Sequence, residues 1–163
     1  VPAAHLHLVG ADPGPEVVAL GRLPGVTLVG RVEDLRPELS AAQVFACPLQ
    51  VASGLQNKVL EALAMELPAV VTPVAAEGLE LAAGRDLWVC PAGPEFAAGL
   101  AQLLEDGPER ERLAQAGRVA VAERYTWDRA AGMLEAIYAE VIERAAGGPG
   151  RPLAGRAAPG YAP

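Results

Sequence analysis

Along the first half of the chain, short apolar runs alternate with mixed segments, and each run is closed by Gly, Pro or Asp. His5-Leu6-His7-Leu8-Val9 stops at Gly10-Ala11-Asp12-Pro13, Val26-Thr27-Leu28-Val29 at Gly30, and Gln43-Val44-Phe45-Ala46-Cys47 at Pro48. Ala69-Val70-Val71-Thr72 stops at Pro73, and Leu87-Trp88-Val89-Cys90 at Pro91. Runs of this length bounded by turn residues predict β-strands. Several are apolar at successive positions, as strands covered by helices on both faces must be. Between them, Pro15 to Leu23 carries Val17, Val18 and Leu20, and Asp34 is placed to cap a short helix holding Leu35 and Leu39. Asn57 to Glu66 sets Val59, Leu60 and Leu63, with Leu67 just beyond, at helical spacing. The rhythm then changes: Glu95 to Glu105, Pro108 to Arg124 and Trp127 to Arg144 read as consecutive helices rich in Ala, Leu, Glu and Arg.

Strands alternating with helices predict an α/β domain, a Rossmann-like parallel sheet of about five strands flanked by helices. The domain is expected over residues 1–146, with residues 147–163, rich in Gly and Pro and without apolar periodicity, as a disordered tail. A length of 163 residues suits one such domain, and 52% hydrophobic residues exclude intrinsic disorder. No apolar run approaches the roughly 20 residues that cross a bilayer. Thirteen basic against twenty acidic residues leave a net charge of −7. That sign argues against duplex nucleic acid or an anionic membrane face as partner. Cys47 and Cys90 have no CxxC or His companions at metal-ligand spacing, so no metal site is expected, and buried thiols in a reducing compartment are. The chain opens Val1-Pro2-Ala3-Ala4, without initiator Met or signal pattern, as a piece of a longer protein would.

Ligands of open parallel sheets bind at the carboxyl ends of the strands, which directs attention to the loops at Gly10–Asp12, Gly30–Asp34, Pro48–Lys58 and Pro73–Gly78. The third is the most informative: Ser53-Gly54-Leu55-Gln56-Asn57-Lys58-Val59-Leu60-Glu61. A Gly-containing loop that opens a helix presents unpaired N–H groups and a positive dipole end, a ready site for phosphate oxygens. Lys58 adds a full positive charge, and Glu61 stands one turn further on, placed to accept hydrogen bonds from vicinal ribose hydroxyls. Plainer readings stand beside this one. Asn57 also reads as an N-cap, and Lys58 with Glu61 as an i,i+3 ion pair on a solvated face. The loop is not a P-loop, since the second Gly and the following Ser/Thr are missing, and no loop carries GxGxxG.

The run Gln56-Asn57-Lys58-Val59-Leu60-Glu61-Ala62, followed by Pro68-Ala69-Val70-Val71-Thr72, resembles the donor-binding, C-terminal half of retaining GT-B glycosyltransferases, specifically glycosyl transferases group 1, family 4. Gly30-Arg31-Val32-Glu33-Asp34, Ala75-Ala76-Glu77-Gly78-Leu79 and Glu123-Arg124-Tyr125-Thr126-Trp127 extend the likeness, and within the family the Gln56–Ala62 run followed by Pro68–Thr72 is similar to the sugar transferases of exopolysaccharide gene clusters. It covers roughly residues 5–145 and is specific in combination.

The resemblance implies roles for matched positions. Glu61, the second glutamate of the family's E-x7-E motif, would hold the ribose, and Lys58 with Glu61 would carry the catalytic contacts. The backbone of Leu55, Gln56 and Asn57, following Gly54, would meet the diphosphate. Gly30 and the main chain of Val32 would border the nucleobase, with Gly10 in the same crevice. The motif's first glutamate falls on Ser53, so the carboxylate that usually touches the donor sugar is absent. The resemblance further implies that the first strand and helix of this half, with a basic diphosphate-gripping pair, lie outside the chain, as does the acceptor-binding N-terminal domain. With strand order 3-2-1-4-5-6, the absent strand belongs between the Leu6–Val9 and Val44–Cys47 strands.

The function so implied is nucleotide-sugar donor binding in retaining sugar transfer for polysaccharide or glycoconjugate synthesis, without cofactor or metal, the isolated chain giving no turnover. A cytoplasmic site is expected, with the inner membrane face reached through the missing half. Competing readings are half of a sugar-nucleotide 2-epimerase, for which the loops offer Glu61, Glu77 and Glu80, or a non-catalytic α/β regulatory module. His5 and His7 share a strand face as packing or exposed residues, and Tyr125 and Trp127 are expected to staple the last helix to the domain, whose final helix the resemblance directs toward the missing half.

Overall fold

A computed structural model describes residues 3–146; the tail expected at 147–163 lies outside the described residues. The elements run β1 (Leu6–Val9), α1 (Pro15–Leu20), β2 (Val26–Gly30), α2 (Arg36–Ala41), β3 (Phe45–Cys47), α3 (Asn57–Ala64) and β4 (Ala69–Val71). They continue as α4 (Pro73–Ala76), β5 (Trp88–Val89), α5 (Pro94–Glu105), α6 (Gly107–Arg124) and α7 (Trp127–Ala146). Each apolar run forms its strand, four of them shortened by one or two residues and the second extended to include Gly30. The segment Pro73–Gly78, expected as loop, opens instead with the short helix α4, which Pro73 at its first position, after Thr72 in extended conformation, starts.

All strand pairs are parallel, in two ladders of order β1-β2 and β3-β4-β5. Among the described residues no strand pairing joins β1 to β3, the edges between which the 3-2-1-4-5-6 order puts a further strand. Successive residues of β4 enter opposite sides of the sheet. Ala69 and Val71 pack with Val59, Leu63, Leu87 and Val121, whereas Val70 packs with Cys90, Phe96, Leu103 and Leu113. Helices therefore cover both faces, and all three β4 residues are fully buried. Each buried valine contributes about 1.5–3 kcal/mol.

Two glycines set the helix packing. A Cβ at Gly117 would lie 2.6 Å from the Asp86 carbonyl oxygen and 2.6 Å from Leu63 Cδ2, so only Gly lets α6 approach α3 and the β5 entry this closely. A Cβ at Gly99 would meet Cys90 Sγ at 2.6 Å. Both cysteines are free and buried, as their apolar strand ends predict. Asp106 accepts a hydrogen bond from Glu109 N at 3.0 Å and caps α6. Asp34 accepts from Arg36 N at 3.0 Å just before α2. His5 and His7 are exposed, bonded to Thr27 (3.0 Å) and Glu38 (3.1 Å).

Candidate functional site

The loop after β3 is tied down before it opens α3. Thr72, buried at the end of β4, donates its hydroxyl to the Leu49 carbonyl, and its amide donates to Cys47 O at 3.2 Å. Further along, Gly54 adopts φ +67°, a left-handed conformation that glycine takes without steric cost. Gln56 is buried, and its Nε2 donates to Gly54 O at 3.1 Å and Ser53 O at 3.4 Å, folding the loop on itself.

The helix start then stands open. Gln56 occupies the N-cap position and makes no side-chain capping bond, which corrects the alternative of Asn57 as a cap. Asn57 N turns back to Leu55 O at 3.1 Å and Val59 N to Gln56 O at 2.9 Å. None of the hydrogen bonds among the described residues uses the amides of Leu55, Gln56 or Lys58. Unpaired amides at a helix start are what anionic oxygens satisfy. Val59, Ala62 and Leu63 anchor the helix in the core, which leaves Asn57, Lys58 and Glu61 exposed.

Leu55, Asn57, Leu60 and Glu61 line a cleft of ≈ 690 Å³, closed on its other sides by Gly78, Glu80 and the α6–α7 junction from Arg124 to Met133. A cleft of this size suits a nucleotide-sized ligand. Its charged lining is Glu61 and Glu80 against Arg124 and Arg129; Glu77 is not part of it. Among the described residues neither Glu61, Glu80 nor Arg129 enters an ion pair through its side chain. Arg124 is committed: its guanidinium donates to Glu80 O and lies 3.5 Å from Asp86 Oδ2. The α6–α7 junction explains the Arg124-Tyr125-Thr126-Trp127 run residue by residue. Tyr125 ends α6 and its hydroxyl accepts from Glu80 N at 2.6 Å, while Thr126 Oγ1 accepts from Arg129 N at 3.2 Å and caps α7. Tyr125 staples the segment as expected, but Trp127 does not: its ring is 90% exposed at the cleft rim.

Lys58 pairs with no carboxylate among the described residues, so the i,i+3 ion pair with Glu61 is absent. Its charge acts instead at the carboxyl end of β3. Burial pushes the Cys47 thiol above its ordinary pKa, and the Lys58 ammonium partly offsets that. Lys58 therefore flanks the strand end rather than lining the cleft with Glu61.

The first ladder holds the remaining sequence-predicted residues separately. Gly10 lines a smaller cavity of ≈ 240 Å³ with Pro13, Val17 and Leu28, and its amide donates to Gly30 O at 2.9 Å. Gly30 takes φ +79° where the β1–β2 register shifts. Val32 is half-buried in the loop before α2, with both backbone polar groups outside the hydrogen bonds among the described residues. The structure thus brings Leu55, Asn57 and Glu61 together in one cleft, and places Gly10, Gly30 and Val32 at and beyond the carboxyl ends of β1 and β2. The sequence reading missed Arg129 and the tie between Glu80 and Tyr125. The tie spans 45 positions and leaves no local signal. Arg129 sits three residues after a Thr in the first turn of a predicted helix, a pattern visible in sequence.

Fold and cleft together define an α/β domain of the open parallel-sheet kind with a cleft beside the start of α3. The profile of the family "Glycosyl transferases group 1" matches residues 1–106, and the chain belongs to that family. It is 32% identical over 141 residues to D-inositol 3-phosphate glycosyltransferase of Corynebacterium aurimucosum, a match over 82% of this chain and 33% of that protein. Its fold matches sucrose-phosphate synthase from Thermosynechococcus elongatus, with a TM-score of 0.75 and 23% identity over 88% of this chain and 40% of that one. It also matches Anabaena HepE solved in complex with UDP, with a TM-score of 0.71 and 17% identity over 88% of this chain and 42% of that one. The parallel sheets flanked by helices are those of the GT-B glycosyltransferases. The chain spans about a third of the length of the curated relative it matches. No helix among the described residues is long and apolar enough to cross a membrane.

Proposed function

We propose that this chain is the nucleotide-sugar-binding half of a retaining glycosyltransferase acting in polysaccharide or glycoconjugate synthesis. The observation that carries the proposal is the open start of α3. Unused amides and the unpaired Lys58 stand beside a cleft that contains the exposed carboxylate of Glu61. A nucleoside diphosphate presents the matching groups: anionic phosphate oxygens for the helix start and a vicinal diol for the carboxylate. The Anabaena neighbour, solved with UDP, supports a uridine nucleotide as the first donor to try.

In the reaction so proposed, the bond from the anomeric carbon to the diphosphate breaks, and an acceptor hydroxyl oxygen bonds to that carbon and gives its proton to the departing diphosphate. Negative charge grows on the phosphate oxygens as they leave. Groups already aimed at those oxygens stabilise the transition state more than the ground state, and so lower the barrier. The α3 amides and Lys58 fill that role. Glu61 fixes the ribose and thereby the orientation of the leaving group. The acceptor is supplied by another part of the transferase, so the chain alone binds donor without transferring sugar.

The test is calorimetric titration of the chain with UDP, GDP and UDP-glucose. Saturable binding of one nucleotide, weakened by Glu61→Gln, supports the proposal. Absence of binding by all three at millimolar concentration contradicts it.

A further inference from the structure

The cleft wall made by Gly78 to Glu80 belongs to the connection between α4 and β5, which has no helix or strand of its own across Glu77 to Ala82. Gly78, at φ +80°, adds a flexible point at its start. Leu79 and Leu81 pack on the apolar cluster around Val71, and Leu79 N donates to Ala76 O at 3.0 Å, which leaves the exposed Glu80 backbone between them to be held from outside the segment.

Two consecutive residues at the α6–α7 junction provide the grip. The Glu80 amide donates to the Tyr125 hydroxyl at 2.6 Å, and the Glu80 carbonyl accepts from the Arg124 guanidinium. Both polar backbone groups of a single residue are thus captured by neighbouring side chains. The Arg124 guanidinium is held in turn by Asp86, 3.5 Å away and 2% exposed. The Asp86 carboxylate is itself fixed by Ala82 N at 2.9 Å and by the Arg85 guanidinium at 2.7 and 2.9 Å. The Tyr125 ring packs on the apolar cluster around Val71 and Leu63, which sets where its hydroxyl meets Glu80. Glu80 is exposed, lines the cleft, and forms no ion pair through its carboxylate among the described residues.

We infer that Arg124 and Tyr125 are positioning residues of the donor cleft, holding the Gly78–Glu80 wall at a fixed distance from the Asn57–Glu61 face of α3. The inference rests on the reading of that cleft as the nucleotide-sugar site. Neither residue needs to touch donor to act: releasing Glu80 lets the wall move, and a ligand must then order it again on binding. The geometry separates this role from simple support of the fold. Phe at position 125 keeps the packed ring and loses only the hydroxyl, and the freed Glu80 amide, at an exposed residue, turns to water.

The experiment compares the chain with Tyr125→Phe and Arg124→Lys, reading UDP-glucose affinity, melting midpoint and hydrogen exchange at the Glu80 amide. Lys at 124 ends one bond short of Nη1, the single atom that both donates to the Glu80 carbonyl and faces Asp86 Oδ2 at 3.5 Å. Each variant is expected to weaken UDP-glucose binding about fivefold, the equivalent of one neutral hydrogen bond. Tyr125→Phe should also speed Glu80 exchange by about the same factor, with the melting midpoint within a few degrees of the parent. Affinity equal to the parent in both variants, with Glu80 exchange accelerated, overturns the inference and leaves the contacts a purely structural tie. A parent Glu80 amide that exchanges freely also overturns it. If the parent binds no nucleotide, this inference falls together with the proposed function. If the parent binds and only Glu61→Gln is silent, the ribose assignment falls and the positioning role stands on the affinities of its own variants.

Discussion

Replacing Glu61 by Gln keeps the shape of the side chain and deletes its charge, which isolates the interaction on which the donor-site reading turns. In the structure Glu61 is exposed, lines the cleft and has no ion-pair partner among the described residues, so its full charge is available to a ligand. A hydrogen bond to a charged group is worth about 1.5–3 kcal/mol. Solvent exposure places this one at the lower end, about 1.5 kcal/mol, or roughly tenfold in Kd. The assay is a cycle of two proteins and two ligands, titrating the parent and Glu61→Gln with UDP and with 2′,3′-dideoxy-UDP. The parent should lose about tenfold when the hydroxyls are removed, and the variant about tenfold on UDP itself. The doubly altered pair should lose no more than either change alone. The melting midpoint should stay put, since an exposed, unpaired side chain contributes within about 0.5 kcal/mol. Losses that simply add, or a variant that binds UDP as the parent does, would refute the ribose contact.

Lys58→Ala, introduced into the transferase that contains this chain, should lower kcat by roughly 10²–10³-fold while raising donor KM much less, as expected for a group that acts on developing phosphate charge; steady-state kinetics across donor concentrations reads the split. Gly117→Ala places a methyl group against Asp86 O and Leu63, and should destabilise the chain by about 1–3 kcal/mol in urea unfolding. The Asp86 carboxyl is held below its ordinary pKa of 3.8, chiefly by hydrogen bonds from Arg85, against the opposing effect of burial. A depressed folded-state pKa contributes stability that is complete above the unfolded value and is lost as pH falls through the folded one. Asp86→Asn should therefore cost about 1–3 kcal/mol near neutral pH, with the gap to the parent narrowing below pH ~4 in thermal melts.

Much of the fold is legible in local pattern because the strands are buried on both faces. Ala69-Val70-Val71 carries that signal without ambiguity, and the structure divides its three side chains between the two helix layers. Asn57 to Leu63 is equally plain, since helical spacing of Val59 and Leu63 leaves Asn57, Lys58 and Glu61 outward whatever else the chain does. What escapes local reading are the contacts that depend on tertiary approach. The Gln56 backbone is expected at the anion site and its amide is unused among the described residues, but that its buried side chain is spent on the Ser53 and Gly54 carbonyls has no local signal. Trp127 looks like core and is left in solvent by the direction in which α7 departs. Pro73 looks like a strand stop and also begins a helix, both consequences of its fixed φ and missing amide proton. The Glu80 tie to Arg124 and Tyr125 joins residues 44 and 45 positions apart, beyond any periodicity argument.

The central claim is that the start of α3 and the cleft beside it receive a nucleoside diphosphate. Backbone amide shifts in ¹⁵N–¹H spectra, followed during titration with UDP, test it most directly. The account predicts the largest changes at Leu55, Gln56, Lys58 and Glu61, saturating at one ligand per chain. Saturable changes centred away from α3, or none along residues 54–61, would contradict it.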